Sequence, residues 1–221
     1  MSESLKLIIL SVVIVLWTFS FIKLFKDQKI KDNDSLNKTH KMAMTAILMA
    51  LTVALQLFSN YITFGPIAIN LALIPLIIGA IILGPMEGLL LGVIDGAIIL
   101  TAPSTMGFIS INPAMTVLLC FTKTGLAGLV CGYVSRLFKK HQKIGVIISS
   151  ILVPIINTGI FMVGAYFFFL DVFGGNAMIL ITGVLSINFV IEFITVSVLS
   201  ISVYYISDIA KKRFLKVQNG I

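Results

Sequence analysis

Long apolar stretches separated by short polar segments dominate the sequence, and they cover residues 5–25, 42–62, 67–83, 89–102, 113–137, 145–170 and 177–209. An α-helix of about 17–25 apolar residues spans the hydrocarbon core of a bilayer. The stretches are continuous rather than alternating, which excludes a membrane β-barrel. The first lacks a small-residue cleavage site, which favours a retained helix over a signal peptide. The pattern predicts an all-α polytopic membrane protein, with a six-helix core over 41–210 and one extra N-terminal transmembrane helix over 1–26.

The overall composition agrees with this class. Among 221 residues, 58% are hydrophobic and 11% are charged, and the mean hydropathy is +1.10. Soluble domains carry about 25% charged residues. The composition therefore excludes a soluble enzyme, a nucleic-acid-binding module and a disordered regulator.

Basic residues predict the orientation in the membrane. Lys and Arg number 16 against 9 Asp and Glu, and they cluster in segments 23–41, 136–143 and 211–216. The connecting segments 63–66, 103–111 and 171–176 contain neither Lys nor Arg. The positive-inside rule then places a linker over 27–40 and a basic tail over 211–221 in the cytoplasm, with the N-terminus outside. Glu87 is expected in a solvated cytoplasmic turn.

Local signals predict turns and close helix contacts. The segment 84–88, GPMEG, predicts a turn. Glycines at 88, 92 and 96 recur every four residues, which allows a neighbouring helix to approach closely. Asn112 is a good N-cap, and Pro113 suits the first position of the helix that follows. The uncharged segment 103–111 is expected to be a loop.

Several polar residues interrupt the apolar stretches, and a charge at bilayer depth costs about 2.5–3.5 kcal/mol. Such residues usually face the protein interior or a watery cavity. One alternative is that the amides only join helices, at roughly 0.6 kcal/mol each; another is that Lys123 forms a structural pair with Asp95 or Glu192. Counting positions along the helices places most of these groups in the outer half of the membrane or near its midplane. This placement predicts a cavity that opens to the outside and accepts a small polar solute. The polar residues within the stretches are Gln56, Asn60, Asn70, Asp95, Lys123, Asn157, Asn188 and Glu192.

No catalytic or metal-binding pattern is present. His40 and His141 lie singly in polar segments, and Asp95 and Glu192 have no companion catalytic motif. The sequence also lacks a phosphate-binding GxxxxGK[ST] loop, so the chain cannot hydrolyse ATP by itself. We expect no catalytic residue, no metal and no cofactor.

Three segments resemble a known family: MAMTAILMA at 42–50, FGPIAINLALIPLIIGAIILGPMEGLLLG at 64–92 and SINPAMTVLLCFTKTGLAGLVCGYV at 110–134. Together they resemble the substrate-specific S component of energy-coupling factor (ECF) vitamin transporters, over about residues 41–210. The N-terminal helix departs from that family's six-helix pattern. The resemblance implies a subunit of the bacterial cell membrane that captures a vitamin outside and works with a transmembrane coupling protein and two ATPases. It also implies that Ala46 and Ala50, with Ala54 extending the stripe, pack against the coupling protein.

Within the family, the pattern looks closest to S components assigned to pantothenate. Lys123 is then expected to bind the carboxylate, while Asn112, Asn157 and Asn188 serve the amide and hydroxyls. The remaining predicted site residues are Gln56, Asn60, Asn70 and Glu192. An anionic ligand beside two acids requires Asp95 or Glu192 to be protonated or paired elsewhere. The alternatives are another vitamin or precursor (folate, a hydroxymethylpyrimidine or a queuosine precursor), an intramembrane enzyme, or an assembly or signalling subunit without a ligand.

Overall fold

The computed structural model describes residues 38–62, 69–138, 141–184 and 189–199, together with residues 202, 205 and 209. The predicted N-terminal helix, the linker up to residue 37, Asn188 and the basic tail lie outside the described residues. Within the described part every regular element is a helix. The elements are α1 (Lys38–Ser59), α2 (Leu73–Ile82), α3 (Pro85–Ile99), a 3-10 turn (Pro103–Thr105), α4 (Met106–Ile111), α5 (Pro113–Leu137), α6 (Gln142–Phe168), a second 3-10 turn (Leu170–Phe173), α7 (Ala177–Val184) and α8 (Phe189–Leu199).

Three described helices, α1, α5 and α6, are long and apolar enough to cross a membrane. A fourth span results if α3 and the segment 103–111 are counted together, although they are bent by 79°. The predicted count of six helices plus one is therefore not confirmed. One reason is α2, whose 10 residues rise about 15 Å, half the thickness of the hydrocarbon core. Most residues of α2 are buried among its neighbours, so this apolar helix is a core element.

The segment 103–111 is helical, and the prediction of a loop there was wrong. Its 3-10 turn leads directly into α4, and the hydroxyl of Thr105 donates a hydrogen bond to the carbonyl of Ile99 at 2.9 Å. The ring of Phe108 is buried and lies edge-on to Phe169, with centroids 5.4 Å apart. Burial of this one large side chain anchors a helix that local sequence signals did not indicate.

The glycine stripe of α3 packs directly against α5, as predicted. A Cβ atom on Gly88 would lie 2.5 Å from the carbonyl oxygen of Gly128, and one on Gly96 would lie 2.7 Å from that of Cys120. Between them, Gly92 contacts the backbone of Thr124, whose hydroxyl donates to the Gly92 carbonyl at 2.5 Å. Each step of four along α3 is matched by a step of four back along α5, so the two helices are antiparallel and in backbone contact.

The predicted helix starts are largely observed. The side chain of Asn112 accepts a hydrogen bond from the Met115 N–H at 3.1 Å, which confirms Asn112 as the N-cap of α5. The turn before α3 is shorter than expected, because the helix already begins at Pro85. Gly84 has a φ of 128°, a conformation that favours glycine.

Glu87 is not simply solvated, which corrects the sequence-based expectation. Its side chain is 16% exposed, and one carboxylate oxygen lies 2.8 Å from the ammonium of Lys41 on α1. The guanidinium of Arg136, in the last turn of α5, lies against Gly84 at the start of α3. These contacts bring the start of α1, the start of α3 and the end of α5 together, which is consistent with the side predicted from the charges.

Candidate substrate-binding site

A cavity lies among α1, the segment before α2, the 99–108 region, α5, α6 and α8. The cavity and its open mouth together contain about 790 Å³ of empty space. Four phenylalanine rings contribute to its apolar part. Its polar lining consists of Gln56, Asn70, Ser104, Thr105, Thr116, Lys123, Asn157, Thr158 and Glu192.

Gln56, in the last turn of α1, lines the cavity, and its side chain is hydrogen-bonded to Asn60. Its Nε2 donates to Oδ1 of Asn60 at 2.9 Å. Asn60 in turn donates through Nδ2 to the hydroxyl of Thr101 at 3.2 Å and to the carbonyl of Ile98 at 3.4 Å. The Gln56 Oε1 is buried and has no hydrogen-bond partner among the described residues.

Asn70 connects two buried acids that are far apart in the sequence. Its backbone N–H donates to Oε1 of Glu192 on α8 at 2.7 Å, and its Nδ2 donates to Oδ2 of Asp95 on α3 at 2.8 Å. The carbonyl oxygen of the Asn70 side chain is buried, and no partner for it occurs in the described part of the chain. The Oδ1 of Asn157 on α6 is also buried and has no hydrogen-bond partner among the described residues. The cavity is thus lined by several hydrogen-bond acceptors whose partners are not supplied by the described protein groups.

Lys123 supplies the positive charge of the cavity. Its Nζ lies 5.4 Å from the centroid of the Phe161 ring, which is a cation–π distance. No carboxylate of the described residues lies within ion-pair distance of this ammonium. Lys123 still acts electrostatically on both Asp95 and Glu192. The structural pair that we considered for Lys123 is therefore not formed by direct contact.

An aromatic cluster forms the apolar side of the cavity. Phe108 lies edge-on to Phe161 at 5.7 Å and to Phe169 at 5.4 Å between centroids. Phe189 of α8 completes the set of lining rings. The site therefore combines one cation, buried amides and hydroxyls, and a rigid aromatic surface.

Comparison with known proteins agrees with this architecture. The model of the family described as ECF transporter, substrate-specific component matches residues 40–211. The chain belongs to this family. No curated protein matches the chain significantly.

Membership places this S component among transport subunits rather than enzymes. ECF S components bind the substrate and work with a module of a coupling protein and ATPases. The apolar helices and the family together make the chain a multi-pass membrane protein. The matched residues include the whole cavity lining.

The structure brings together five of the predicted site residues in the lining of the cavity: Gln56, Asn70, Lys123, Asn157 and Glu192. Asn60 lies behind Gln56 as its hydrogen-bond partner. Asn112 is the N-cap of α5 and does not line the cavity. Asn188 lies outside the described residues.

Sequence reasoning missed the hydroxyl and aromatic part of the lining. Thr116 and Thr158 are buried side chains of the S component that face the cavity. A helical spacing signal was available for the first, because Thr116 precedes Lys123 by two turns on one face of α5. The phenylalanines had no such signal, since aromatic residues are frequent throughout the apolar stretches.

Proposed function

We propose that this S component captures pantothenate at the outer side of the bacterial cell membrane and delivers it to its ECF module for ATP-driven uptake. The observation that carries the proposal is the ammonium of Lys123, which lines the cavity and contacts no carboxylate of the described residues. A ligand carboxylate can supply that partner. Charge-assisted hydrogen bonds of this kind are among the stronger polar contacts in proteins.

The remaining polar groups of the cavity support the same ligand. Pantothenate carries three donor groups, namely one amide N–H and two hydroxyls. The cavity offers three buried amide oxygens without partners in the described structure, on Gln56, Asn70 and Asn157. The branched aliphatic carbon of pantothenate can pack against the phenylalanine rings of the cavity.

The two buried acids set a condition on this proposal. Asp95 and Glu192 each accept a hydrogen bond from Asn70, which is uncharged. With both acids ionised, Lys123, the one cation among the described residues of the lining, leaves a formal excess of one negative charge. Binding of an anionic ligand therefore requires a proton on one of the two acids.

Substitution of Lys123 tests the proposal. Lys123→Met keeps the apolar stem and removes the charge, so we expect pantothenate to bind roughly ten- to a hundredfold more weakly. Affinity for the neutral analogue in which an alcohol replaces the carboxylate should change little. Calorimetry on the purified protein measures both ligands.

The control is Lys143→Met, which removes an exposed lysine in the first turn of α6, away from the cavity. This variant should bind pantothenate like the wild type. Unchanged affinity in Lys123→Met would mean that Lys123 does not anchor the carboxylate.

A ring-bearing vitamin or precursor is the second candidate. The observation in its favour is the set of phenylalanine rings, because aromatic side chains stack on flat heterocycles. Mass spectrometry of the small molecule that co-purifies distinguishes the two. A co-purifying pyrimidine, pterin or deazapurine compound in place of pantothenate would overturn our first choice.

We also propose that α1 provides the contact with the coupling protein. Ala46, Ala50 and Ala54 recur every four residues and are all exposed on α1. Small residues allow two membrane helices to approach closely. The stripe belongs to the same helix that places Gln56 in the cavity.

A further inference from the structure

The side-chain amides of Gln56 and Asn70 are held in one orientation by residues that lie behind the cavity. An amide group can present either oxygen or nitrogen to a ligand, and the two ends have nearly the same shape. The orientation is decided by the partners of the other end. For both residues those partners are described and can be followed back to groups that only accept hydrogen bonds.

For Gln56 the orientation is set through Asn60. The backbone carbonyl of Ile98 can only accept, so Asn60 must present Nδ2 to it, at 3.4 Å. The Oδ1 of Asn60 then faces Gln56, which must donate through Nε2, at 2.9 Å. The oxygen of Gln56 is buried without a partner among the described residues, so it is the acceptor that this amide offers to the cavity.

For Asn70 the orientation is set by Asp95. As a carboxylate Asp95 can only accept, so Asn70 presents Nδ2 to it, at 2.8 Å. The proton that an anionic ligand requires must then lie on Glu192, whose Oε1 still accepts from the Asn70 backbone N–H. The backbone of Asn70 is held separately by its N–H···O hydrogen bond to Glu192, at 2.7 Å. The side-chain oxygen of Asn70 is again the end that remains.

We propose that Asn60 and Asp95 are positioning residues that make Gln56 and Asn70 obligatory hydrogen-bond acceptors, so the cavity selects a ligand with two donor groups. This inference rests on the proposed function for the identity of the ligand, and it adds the polarity that the ligand must have. A ligand with acceptors at these two points leaves two buried oxygens without partners. Buried polar groups without partners are costly, so such a ligand is rejected.

The first test uses pantothenate and its two monodeoxy analogues, each lacking one hydroxyl, in titration calorimetry. In the wild type, we expect at least one analogue to bind about two- to tenfold more weakly than pantothenate. Asn60→Leu removes the group that orients Gln56, so Gln56 can turn its nitrogen to the cavity. In this variant, pantothenate itself should bind more weakly, and the penalty for the missing hydroxyl should disappear.

Thr52→Val is the matched control. Thr52 is buried on α1, one turn before Gln56, and donates only to the carbonyl of Leu48 among the described groups. Its substitution should leave both the affinity and the deoxy penalty unchanged. An equal deoxy penalty in the wild type and in Asn60→Leu would overturn the role of Asn60.

The second test needs no ligand and therefore separates this inference from the choice of pantothenate. Asn70→Asp places two carboxylates against each other and should lower the unfolding temperature of the purified protein. Adding Asp95→Asn restores one donor and one acceptor in reversed order, so the double variant should recover most of the loss. A double variant as unstable as Asn70→Asp would overturn the role of Asp95. If the double variant recovers its stability but the wild-type protein does not bind pantothenate, the orientation of Asn70 is supported and only the choice of ligand is refuted.

Discussion

Substitution of Gly88 tests the backbone contact between α3 and α5. In Gly88→Ala the new Cβ atom would lie 2.5 Å from the Gly128 carbonyl oxygen and 2.7 Å from the Cβ of Ala80. Ordinary contacts between such atoms are about 3.5–4.0 Å. The helices must therefore move apart by roughly 1 Å, because neither contact is a flexible side chain. Overpacking of this kind typically costs about 1–3 kcal/mol.

The measured change also contains a gain, because alanine is favoured over glycine within a helix by about 1 kcal/mol. Gly159→Ala isolates that gain, since Gly159 lies within α6 and its Cβ would meet nothing within 4 Å. Gly164→Ala should fall between the two, because its Cβ would meet side-chain atoms of Leu119, which can rotate away.

The assay is reversible unfolding of the purified protein in detergent, followed by circular dichroism. We expect Gly88→Ala to be less stable than Gly159→Ala by about 1–3 kcal/mol. Ligand affinity should also fall in Gly88→Ala, because α5 carries Lys123 and α3 carries Asp95. Equal stability of Gly88→Ala and Gly159→Ala would refute the close packing of α3 on α5.

Two further predictions concern the partner and the orientation in the membrane. Ala46→Trp or Ala50→Trp should abolish uptake in cells but spare ligand binding by the purified protein. The control Ile155→Trp, at an exposed position of α6, should preserve both. A loss of binding equal to the loss of uptake would contradict the assignment of the alanine stripe to the coupling-protein contact. Cysteines introduced at Gly107 should react with an impermeant reagent in intact cells, while those replacing Lys31 or Lys212 should not, and reaction at all three positions would overturn the orientation.

Features that depend on neighbours in the sequence could be predicted without the structure. The N-cap at Asn112 and the glycine stripe that begins at Gly88 are set by local chemistry and by helical spacing. The long apolar stretches that became α1, α5 and α6 follow from the thickness of the bilayer. Their polar residues could be recognised as unusual because charges and amides are costly at that depth.

Features that depend on distant segments needed the tertiary structure. Apolar content alone does not distinguish a short helix that crosses the membrane from one buried in the protein, so the sequence could not show that the described α2 is largely buried by its neighbours. The helix α4 depends on the burial of Phe108 against residues of later elements. Glu87 found a partner in Lys41, which lies in a different helix.

The cavity lining was likewise predictable only in part from the sequence. That Gln56, Asn70 and Lys123 belong to a polar site followed from their position in apolar stretches. Which of the predicted amides line the cavity, and which end of an amide is hydrogen-bonded to the protein, was decided only by contacts between distant residues, such as Asn70 with Asp95. Helical periodicity specifies the face on which a side chain lies, but the packing of whole helices decides what that face meets.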